Sequence, residues 1–345
     1  MGSGLDRSVT RVADSTETSA PLLSIVIPVY DEEHVIQEFH RRLIGVTEAM
    51  STSCEVVYVN DGSADRTLEL LKSLNPGREN IRILNLSRNF GKDIALTAGL
   101  DFSRGDAVIV IDADLQDPPE LIPEMVDCWT QGYDVVYATR SSRRGESWLK
   151  KFSAKMFYRT IQHMSGQVKI PEDTGDFRLL SRRAVNAITQ LREHHRFMKG
   201  LFSWIGFRQK SIFYERDSRF AGKTKWNYWR LWNFSLDGIT SFTTVPLRVA
   251  TYVGLLTAIS SFCYGSFIIF RAIVIGDPVP GFPSLMAVIT FLGGVQLLTL
   301  GIFGEYLGRT FNESKRRPLY FLQDELEIKK IDRSRRQKDT SSARI

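Results

Sequence analysis

Two aspartates, Asp112 and Asp114, follow directly on a run of apolar residues, Val108 to Ile111. Residues two apart in an extended chain point to the same side, so the two carboxylates can reach one ligand. Gln116 is placed to add a carbonyl oxygen. Oxygen ligands at an open site favour Mg²⁺ or Mn²⁺, which complete their coordination with water and substrate phosphates. The pattern therefore predicts a divalent-metal site at these three residues, with a solvated surface loop as the alternative.

Other kinds of site are disfavoured. The sequence contains neither G-x-x-x-x-G-K-[ST] nor G-x-G-x-x-G, which argues against a P-loop ATPase and a dinucleotide-dependent dehydrogenase. Cys54, Cys128 and Cys263 lie far apart, which argues against a zinc site or a disulfide framework. The pair His194-His195 is interpreted as structural. A bound diphosphate would then be held by a metal ion and basic side chains.

The elements that position Asp112 and Asp114 alternate between two patterns. Four helical patterns separate five β-branched runs: LLSIVIPVY, CEVVYVND, IRILNLSR, AVIVIDAD and DVVYATR. Nearly continuous apolar runs are typical of strands covered on both faces, and alternation with helices favours a mostly parallel sheet with flanking helices. We expect an α/β nucleotide-binding type of domain.

Polar residues follow all five predicted strands. Because ligands bind at the carboxyl ends of parallel strands, these residues are expected to converge on one crevice. They are Tyr30, Asp31 and Glu32, then Asn60 to Ser63, Arg88 and Asn89, Asp112 and Asp114, and Arg140.

Two long uncharged stretches, 249–270 and 285–304, lie towards the end of the chain. About 20 apolar residues cross a bilayer, so we predict two transmembrane helices, at about 249–274 and 285–307, within 245–308. Arg248 before the first and the basic residues after the second place both ends in the cytoplasm; Arg271 would snorkel to the opposite interface. The alternative is a pair of buried helices in a soluble core.

The remaining segments have distinct compositions. Residues 1–21 lack an apolar run and are expected to form a disordered leader rather than a signal peptide. Residues 22–223 would form the cytoplasmic domain. Residues 224–244 are rich in Trp and Tyr with basic residues between them, which favours an amphipathic interfacial helix over an ordinary packed one. Residues 309–345 would form a basic cytoplasmic tail, disordered beyond Asp324.

The net charge is +6, and basic residues collect between Arg140 and Arg159 and again after Arg309. That distribution suits an anionic membrane surface or phosphate ligands better than nucleic acid, which we do not expect as a partner. A solvated basic helix face is the alternative for the first group.

A set of motifs carries a resemblance to a known family. The chain resembles the family 2 glycosyltransferases that load a sugar onto a polyprenyl phosphate, namely dolichol-phosphate mannosyltransferases and, more closely, bacterial bactoprenol glucosyltransferases of the O-antigen-modifying type. The resemblance covers about residues 22–322 and rests on PVYDEE (28–33), NDGSAD (60–65), SRNFGKDIALTAGL (87–100), DADLQDPP (112–119), TGDFRLLSR (174–182), RFMKGLFSWIGF (196–207) and RFAGKTKW (219–226).

The resemblance implies a GT-A fold, an inverting mechanism and a nucleotide-sugar donor, usually UDP-glucose, with a polyprenyl phosphate such as undecaprenyl phosphate as acceptor. Asp112, Asp114 and Gln116 match its metal and diphosphate triplet, and Asp176 matches the acid usually proposed as catalytic base. Nucleotide-sugar contacts would come from Pro28, Tyr30, Glu32, Asp61, Lys92, Arg219 and Lys225. Arg140, Lys150 and Lys151 would bind the acceptor phosphate.

Several alternatives remain open. Asp176 could act as a base or only orient a substrate, because the acceptor phosphate, with a second pKa of about 6, is already largely ionised. The donor could be another nucleotide sugar, such as GDP-mannose, or the chain could be a membrane scaffold that binds one without turnover. A processive polysaccharide synthase is disfavoured because Q-x-x-R-W is missing. Gly304 and Gly308 form a G-x-x-x-G, and the resemblance implies a tetramer.

Overall fold

The computed structural model describes residues 22–75, 80–140, 174–194, 196–214, 245–275 and 281–328. Its described strands form one eight-stranded sheet. They are β1 (Leu22–Val29), β2 (Ser53–Asn60), β3 (Asn80–Leu86), β4 (Ala107–Val110), β5 (Val135–Arg140), β6 (Thr174–Ser181), β7 (Gln209–Tyr214) and β8 (Leu322–Ile328).

The strand order is β7-β5-β6-β4-β1-β2-β3-β8. The pairs β4-β1, β1-β2, β2-β3 and β5-β7 are parallel. Because β6 is antiparallel to both β4 and β5, these two strands also point the same way. The five predicted strands are therefore present and share one direction, as expected. The sequence did not predict β6, which lies antiparallel between β4 and β5, nor the two edge strands β7 and β8. The sheet is mixed and mostly parallel.

Helices cover both faces of the sheet. They are α1 (Ile36–Ala49), α2 (Thr67–Lys72), α3 (Lys92–Phe102), α4 (Ile122–Thr130), α5 (Arg182–Ile188) and α6 (Met198–Trp204), with a short 3-10 turn at Pro119–Leu121 before α4. The first four occupy the predicted helical stretches. Alternate residues of β1 enter opposite cores: Ile25 and Ile27 pack with α1 and α4, whereas Val26 packs with α3 and α5.

Burial on both faces explains why these strands read as continuous apolar runs. In β1, Leu23, Ile25, Val26 and Ile27 are all fully buried. Gly99 of α3 lies where a Cβ atom would approach Val26 Cγ1 at 2.2 Å, so a glycine lets this helix lie close to the sheet. This contact holds α3, which begins at Lys92, close to β1.

Two long helices, α7 (Val245–Ile275) and α8 (Phe282–Ser314), pack against each other. Each is long and apolar enough to cross a membrane, over Val249–Phe267 and Phe291–Ser314, and most of the residues in these two windows are not buried by the rest of the chain. The helices contain the two predicted spans, and α8 continues past residue 307. Gly304 and Gly308 lie exposed on α8.

The segment after α8 corrects the expectation of a disordered tail beyond Asp324. Residues up to Ile328 form β8, which pairs antiparallel with β3. Arg82 Nη2 donates to Glu325 Oε1 at 2.6 Å, and Tyr320 Oη donates to Asp101 Oδ2 at 2.8 Å. The chain thus returns from α8 to the edge of the sheet. The predicted leader, residues 1–21, the predicted interfacial helix, residues 224–244, and the end of the tail lie outside the described residues.

Candidate active site

The turn after β4 presents the predicted metal ligands on its open side. The strand ends at Val110, earlier than the sequence suggested, and the chain then turns through Leu115, which has a φ of 59°. Ala113 and Leu115 are buried, whereas Asp112, Asp114 and Gln116 are partly exposed. The alternation expected from the sequence therefore holds within the turn, and the two carboxylates and the amide share the accessible side.

Lys92 connects Asp112 to Asp176. Its Nζ donates to Asp112 Oδ2 at 2.7 Å and to Asp176 Oδ2 at 2.5 Å. Lys92 is the first residue of α3 and follows Gly91, whose φ of 98° favours glycine. Asp176 lies on β6, so the insertion of β6 beside β4 brings the predicted catalytic acid to the predicted metal ligands. Three residues far apart in sequence thus form one charged cluster.

The cluster perturbs the ionisation of its members. Burial raises the pKa of Asp112, although Lys92 acts against this shift. Burial also acts to raise the pKa of Asp176, but Lys92 and Lys199 outweigh it and hold that pKa below its usual value. Burial lowers the pKa of Lys92, and the two carboxylates more than reverse this. At neutral pH Lys92 is therefore a cation and Asp176 an anion.

Three further charged residues surround Asp176, and sequence reasoning had not singled them out. Arg178 donates from Nη2 to the Gly175 carbonyl oxygen at 2.9 Å, and its guanidinium lies 3.8 Å from the Phe202 ring centroid. Lys199, on α6, is a nearby cation whose pKa is lowered by burial. Burial and the charge of Asp176 raise the pKa of Asp93 to about 6. The signals were present but weak: Arg178 and Lys199 stand inside the quoted motifs, and Asp93 follows Lys92.

Asp61 braces the loop that leads to Lys92. It is 2% exposed, and its Oδ1 and Oδ2 accept hydrogen bonds from the backbone N–H groups of Phe90 at 2.7 Å and Gly91 at 2.9 Å. Burial raises the pKa of Asp61 against the effect of these two donors. The adjacent Gly62 has a φ of 65°, and a Cβ atom there would lie 2.4 Å from the Arg88 carbonyl carbon. The ends of β2 and β3 are thus in direct contact.

The end of β1 meets the end of β2. Asp31 Oδ1 accepts from the Ala64 N–H at 2.9 Å, and the Glu32 N–H donates to Thr67 Oγ1 at 2.9 Å. Pro28 is half-buried within β1, and Tyr30 is 38% exposed at its end. This contact places Tyr30 and Glu32 on the same edge of the sheet as Asp61.

Arg140 lies at the end of β5 on the far side of β6. It is a hydrogen-bonding neighbour of Tyr214, whose hydroxyl also donates to Asp117 in the turn after β4. Among the described residues, the buried Nε of Arg140 has no hydrogen-bond partner. The polar ends of the five predicted strands are therefore linked by side-chain contacts along one edge of the sheet. Lys150, Lys151, Arg219 and Lys225 lie outside the described residues.

The residues after β4 fit a divalent ion. Within the described ranges, no three His, Cys, Asp or Glu side chains are grouped to bind a metal. Asp112 and Asp114 with the Gln116 amide supply oxygen donors from one open side, although Asp112 Oδ2 also accepts a hydrogen bond from Lys92 Nζ. Such a partial set matches Mg²⁺ or Mn²⁺, which retain water and substrate oxygens, better than a closed protein cage.

The mixed, mostly parallel sheet with helices on both faces is a fold of the GT-A type, which is found in sugar-transferring enzymes. The profile described as Glycosyl transferase family 2 matches residues 24–189, and the one described as GtrB C-terminal hairpin matches residues 245–310. The chain belongs to glycosyltransferase family 2 and carries a GtrB-type hairpin.

Relatives are similar over most of the chain. An uncharacterized glycosyltransferase of Synechocystis sp. is 56% identical over 302 residues, which are 88% of this chain and 95% of that protein. A bactoprenol glucosyl transferase of Shigella phage SfV is 46% identical over 303 residues, covering 88% and 98%. A crystal structure of glucosyl-3-phosphoglycerate synthase from Mycobacterium tuberculosis with Mn²⁺, UDP-glucose and phosphoglyceric acid has a TM-score of 0.43 and 18% identity, covering 64% and 78%.

Proposed function

We propose that this protein transfers a hexose, glucose from UDP-glucose, with inversion onto undecaprenyl phosphate at the cytoplasmic face of a bacterial inner membrane. The observation that carries this proposal is the cluster Asp112–Lys92–Asp176 beside Asp114 and Gln116, in a chain that also contains an apolar helical hairpin. The 46% identity with a relative named for bactoprenol glucosylation supports the choice of sugar and acceptor.

Asp112, Asp114 and Gln116 would hold Mg²⁺ or Mn²⁺ together with the donor diphosphate. When bound, the ion would act as a Lewis acid towards the departing nucleotide diphosphate. Arg219 and Lys225 would add positive charge around the same leaving group, as the resemblance implies. Loss of one such preorganised contact commonly lowers the rate ~100-fold or more.

Asp176 would orient the sugar hydroxyls directly, or the acceptor phosphate through the Lys92 ammonium group that it holds. Its Oδ2 already accepts a hydrogen bond from Lys92, and an acceptor phosphate with a second pKa of about 6 is largely ionised at neutral pH. A base is therefore needed only for the monoanionic fraction. If Asp176 only orients, Asp176→Asn should leave the shape of the pH–rate profile unchanged.

Arg140 would contribute to binding the acceptor phosphate, with Lys150 and Lys151. Arg140 is partly exposed at the end of β5, and a guanidinium group is a suitable donor for an anion. Pro28, Tyr30, Glu32 and Asp61 would border the nucleotide at the ends of β1 and β2. Helices α7 and α8 would span the membrane with both termini in the cytoplasm, and copies of the chain would associate, as a tetramer, through these helices.

The test is a transfer assay with purified full-length protein, undecaprenyl phosphate, Mg²⁺ or Mn²⁺ and a panel of labelled nucleotide sugars. We expect label in the organic phase from UDP-glucose and none when undecaprenyl phosphate is omitted. Label from GDP-mannose alone would overturn the choice of donor. Binding of UDP-glucose without any lipid product would instead indicate a scaffold that does not catalyse transfer.

A further inference from the structure

The position of Lys92 is electrostatically unusual. It is the first residue of α3, where the partial positive charge of the helix N-terminus disfavours a cation. Two carboxylates nevertheless hold its ammonium group, Asp112 at 2.7 Å and Asp176 at 2.5 Å. The side chain of Asp176 is 12% exposed, whereas that of Lys92 is 44% exposed. Lys92 is thus a solvent-accessible cation that neutralises two less accessible acids.

The hydrogen bond from Lys92 weakens the affinity of the Asp112 carboxylate for a divalent ion. Oδ2 of Asp112, the atom bonded to Lys92, belongs to one of the two carboxylates on the open side of the turn after β4. An ion that binds there alone must tolerate the ammonium charge close by or displace it. An ion that arrives with a nucleotide diphosphate brings negative charge with it, and that charge gives Lys92 a new partner.

We propose that in the empty site Lys92 is the counter-ion of Asp112 and competes for this carboxylate with a free divalent ion. When the ion and the donor bind together, the Lys92 side chain moves and its ammonium group pairs with the donor diphosphate instead. This inference rests on the proposed function and adds a mechanism of binding order. Lys92 keeps Asp112 and Asp176 together in the empty site and disfavours the metal alone. Metal and nucleotide consequently bind with positive cooperativity, each strengthening the affinity for the other by the same factor.

Removal of the Lys92 charge should therefore have opposite effects on two ligands. A neighbouring charge within ~4–6 Å changes the affinity of a carboxylate for a proton by ~10-fold to 1000-fold, and a divalent cation experiences the same field. We expect Lys92→Met to bind Mn²⁺ ~10-fold more tightly than the wild type when nucleotide is absent. The same variant should bind UDP ~10-fold more weakly in the presence of saturating Mn²⁺.

The experiment is a titration of detergent-solubilised full-length protein with MnCl₂, in which electron paramagnetic resonance measures free Mn²⁺, followed by calorimetric titration with UDP. Lys92→Arg, which retains the charge, should resemble the wild type in both titrations. Lys72→Met removes an exposed lysine from α2 and should change neither affinity. Lys92→Gln provides a second neutral variant, and thermal unfolding by circular dichroism verifies that each variant is folded.

The outcomes separate this inference from the proposed function. Tighter Mn²⁺ binding together with weaker UDP binding in both neutral variants is the expected result. Equal or weaker Mn²⁺ binding in the folded neutral variants, with normal binding in the wild type, overturns the competition while leaving the metal site intact. If neither the wild type nor any variant binds Mn²⁺, with or without UDP, both the metal site and the competition are overturned.

Discussion

Substitution of Asp61 by Asn distinguishes a structural brace from a ligand contact. In Asp61, each carboxylate oxygen accepts one backbone N–H, from Phe90 at 2.7 Å and from Gly91 at 2.9 Å. The Asn side chain has the same shape but offers one oxygen, so its NH₂ group must face one of the two N–H donors. A buried donor without an acceptor costs about 1–3 kcal/mol. For a domain of this size that corresponds to a decrease in melting temperature of about 2–12 °C.

The assay combines thermal unfolding with hydrogen exchange at the amides of Phe90 and Gly91. We expect a lower melting temperature and faster exchange at one or both amides in Asp61→Asn. Asp106→Asn is a matched control, because Asp106 accepts a single N–H, that of Leu22 at 3.0 Å, and is exposed. It should change stability by less than about 0.5 kcal/mol.

The resemblance to the family instead assigns Asp61 to the base or ribose of the nucleotide. An unchanged melting temperature and unchanged exchange, with a raised KM for the nucleotide sugar, would refute the brace and favour that assignment. A change in both stability and KM is compatible with the brace, because the Phe90–Gly91 backbone that Asp61 holds leads directly into Lys92.

Two further predictions concern buried groups away from the site. Burial lowers the pKa of His40, whose ring nitrogens contact the Tyr58 hydroxyl at 2.9 Å and the Asn75 carbonyl oxygen at 2.8 Å. Below the ordinary histidine pKa of about 6.5, His40 therefore binds more protons in the unfolded state than in the folded state. The contribution of neutral, buried His40 to the free energy of unfolding is complete above that pH and is lost as the pH falls. Melting temperatures from pH 8 to 5 should decline more in the wild type than in His40→Gln, and parallel curves would contradict this. Arg82→Met removes the buried cation that lies 3.7 Å from the buried Glu55 carboxylate and should cost about 3–5 kcal/mol in chemical denaturation. Glu325→Gln removes a more exposed partner of Arg82 and should cost about 1 kcal/mol or less. Equal losses of stability in the two variants would contradict the expectation that the more buried ion pair contributes more.

Much of the sheet could be predicted because its strands are buried on both faces. The nearly continuous apolar runs around Ile25, Val57 and Ile109 are typical of buried parallel strands. The polar residues that follow these runs lie at one edge of the sheet, as expected. The two aspartates of the turn after β4 were predictable for a related reason, since alternation of buried and accessible residues continues beyond the end of the strand.

The antiparallel strands could not be predicted in the same way. The position of β6 between β4 and β5 depends on pairing between residues about 70 apart in sequence, such as Val108 and Leu180. In β8, the segment LQDELEI carries three acids and resembles a solvated tail. It becomes a strand because β3 offers an unpaired edge and Arg82 provides a charged partner for Glu325.

The contacts of Lys92 could not be predicted from the sequence either. The motif placed Lys92 among the residues expected to bind the nucleotide sugar, but its bridge between Asp112 and Asp176 requires β6 to be in place. Local sequence signals specify elements and their faces, whereas the charge balance of a site depends on which elements become neighbours.

The most direct test of the account is label transfer from UDP-glucose to undecaprenyl phosphate by the full-length protein before and after chelation of divalent ions. We predict that EDTA abolishes labelled lipid, that excess Mn²⁺ or Mg²⁺ restores it in the wild type, and that Asp114→Asn stays inactive after metal addition. Undiminished transfer after complete chelation, or wild-type turnover by Asp114→Asn, would contradict it.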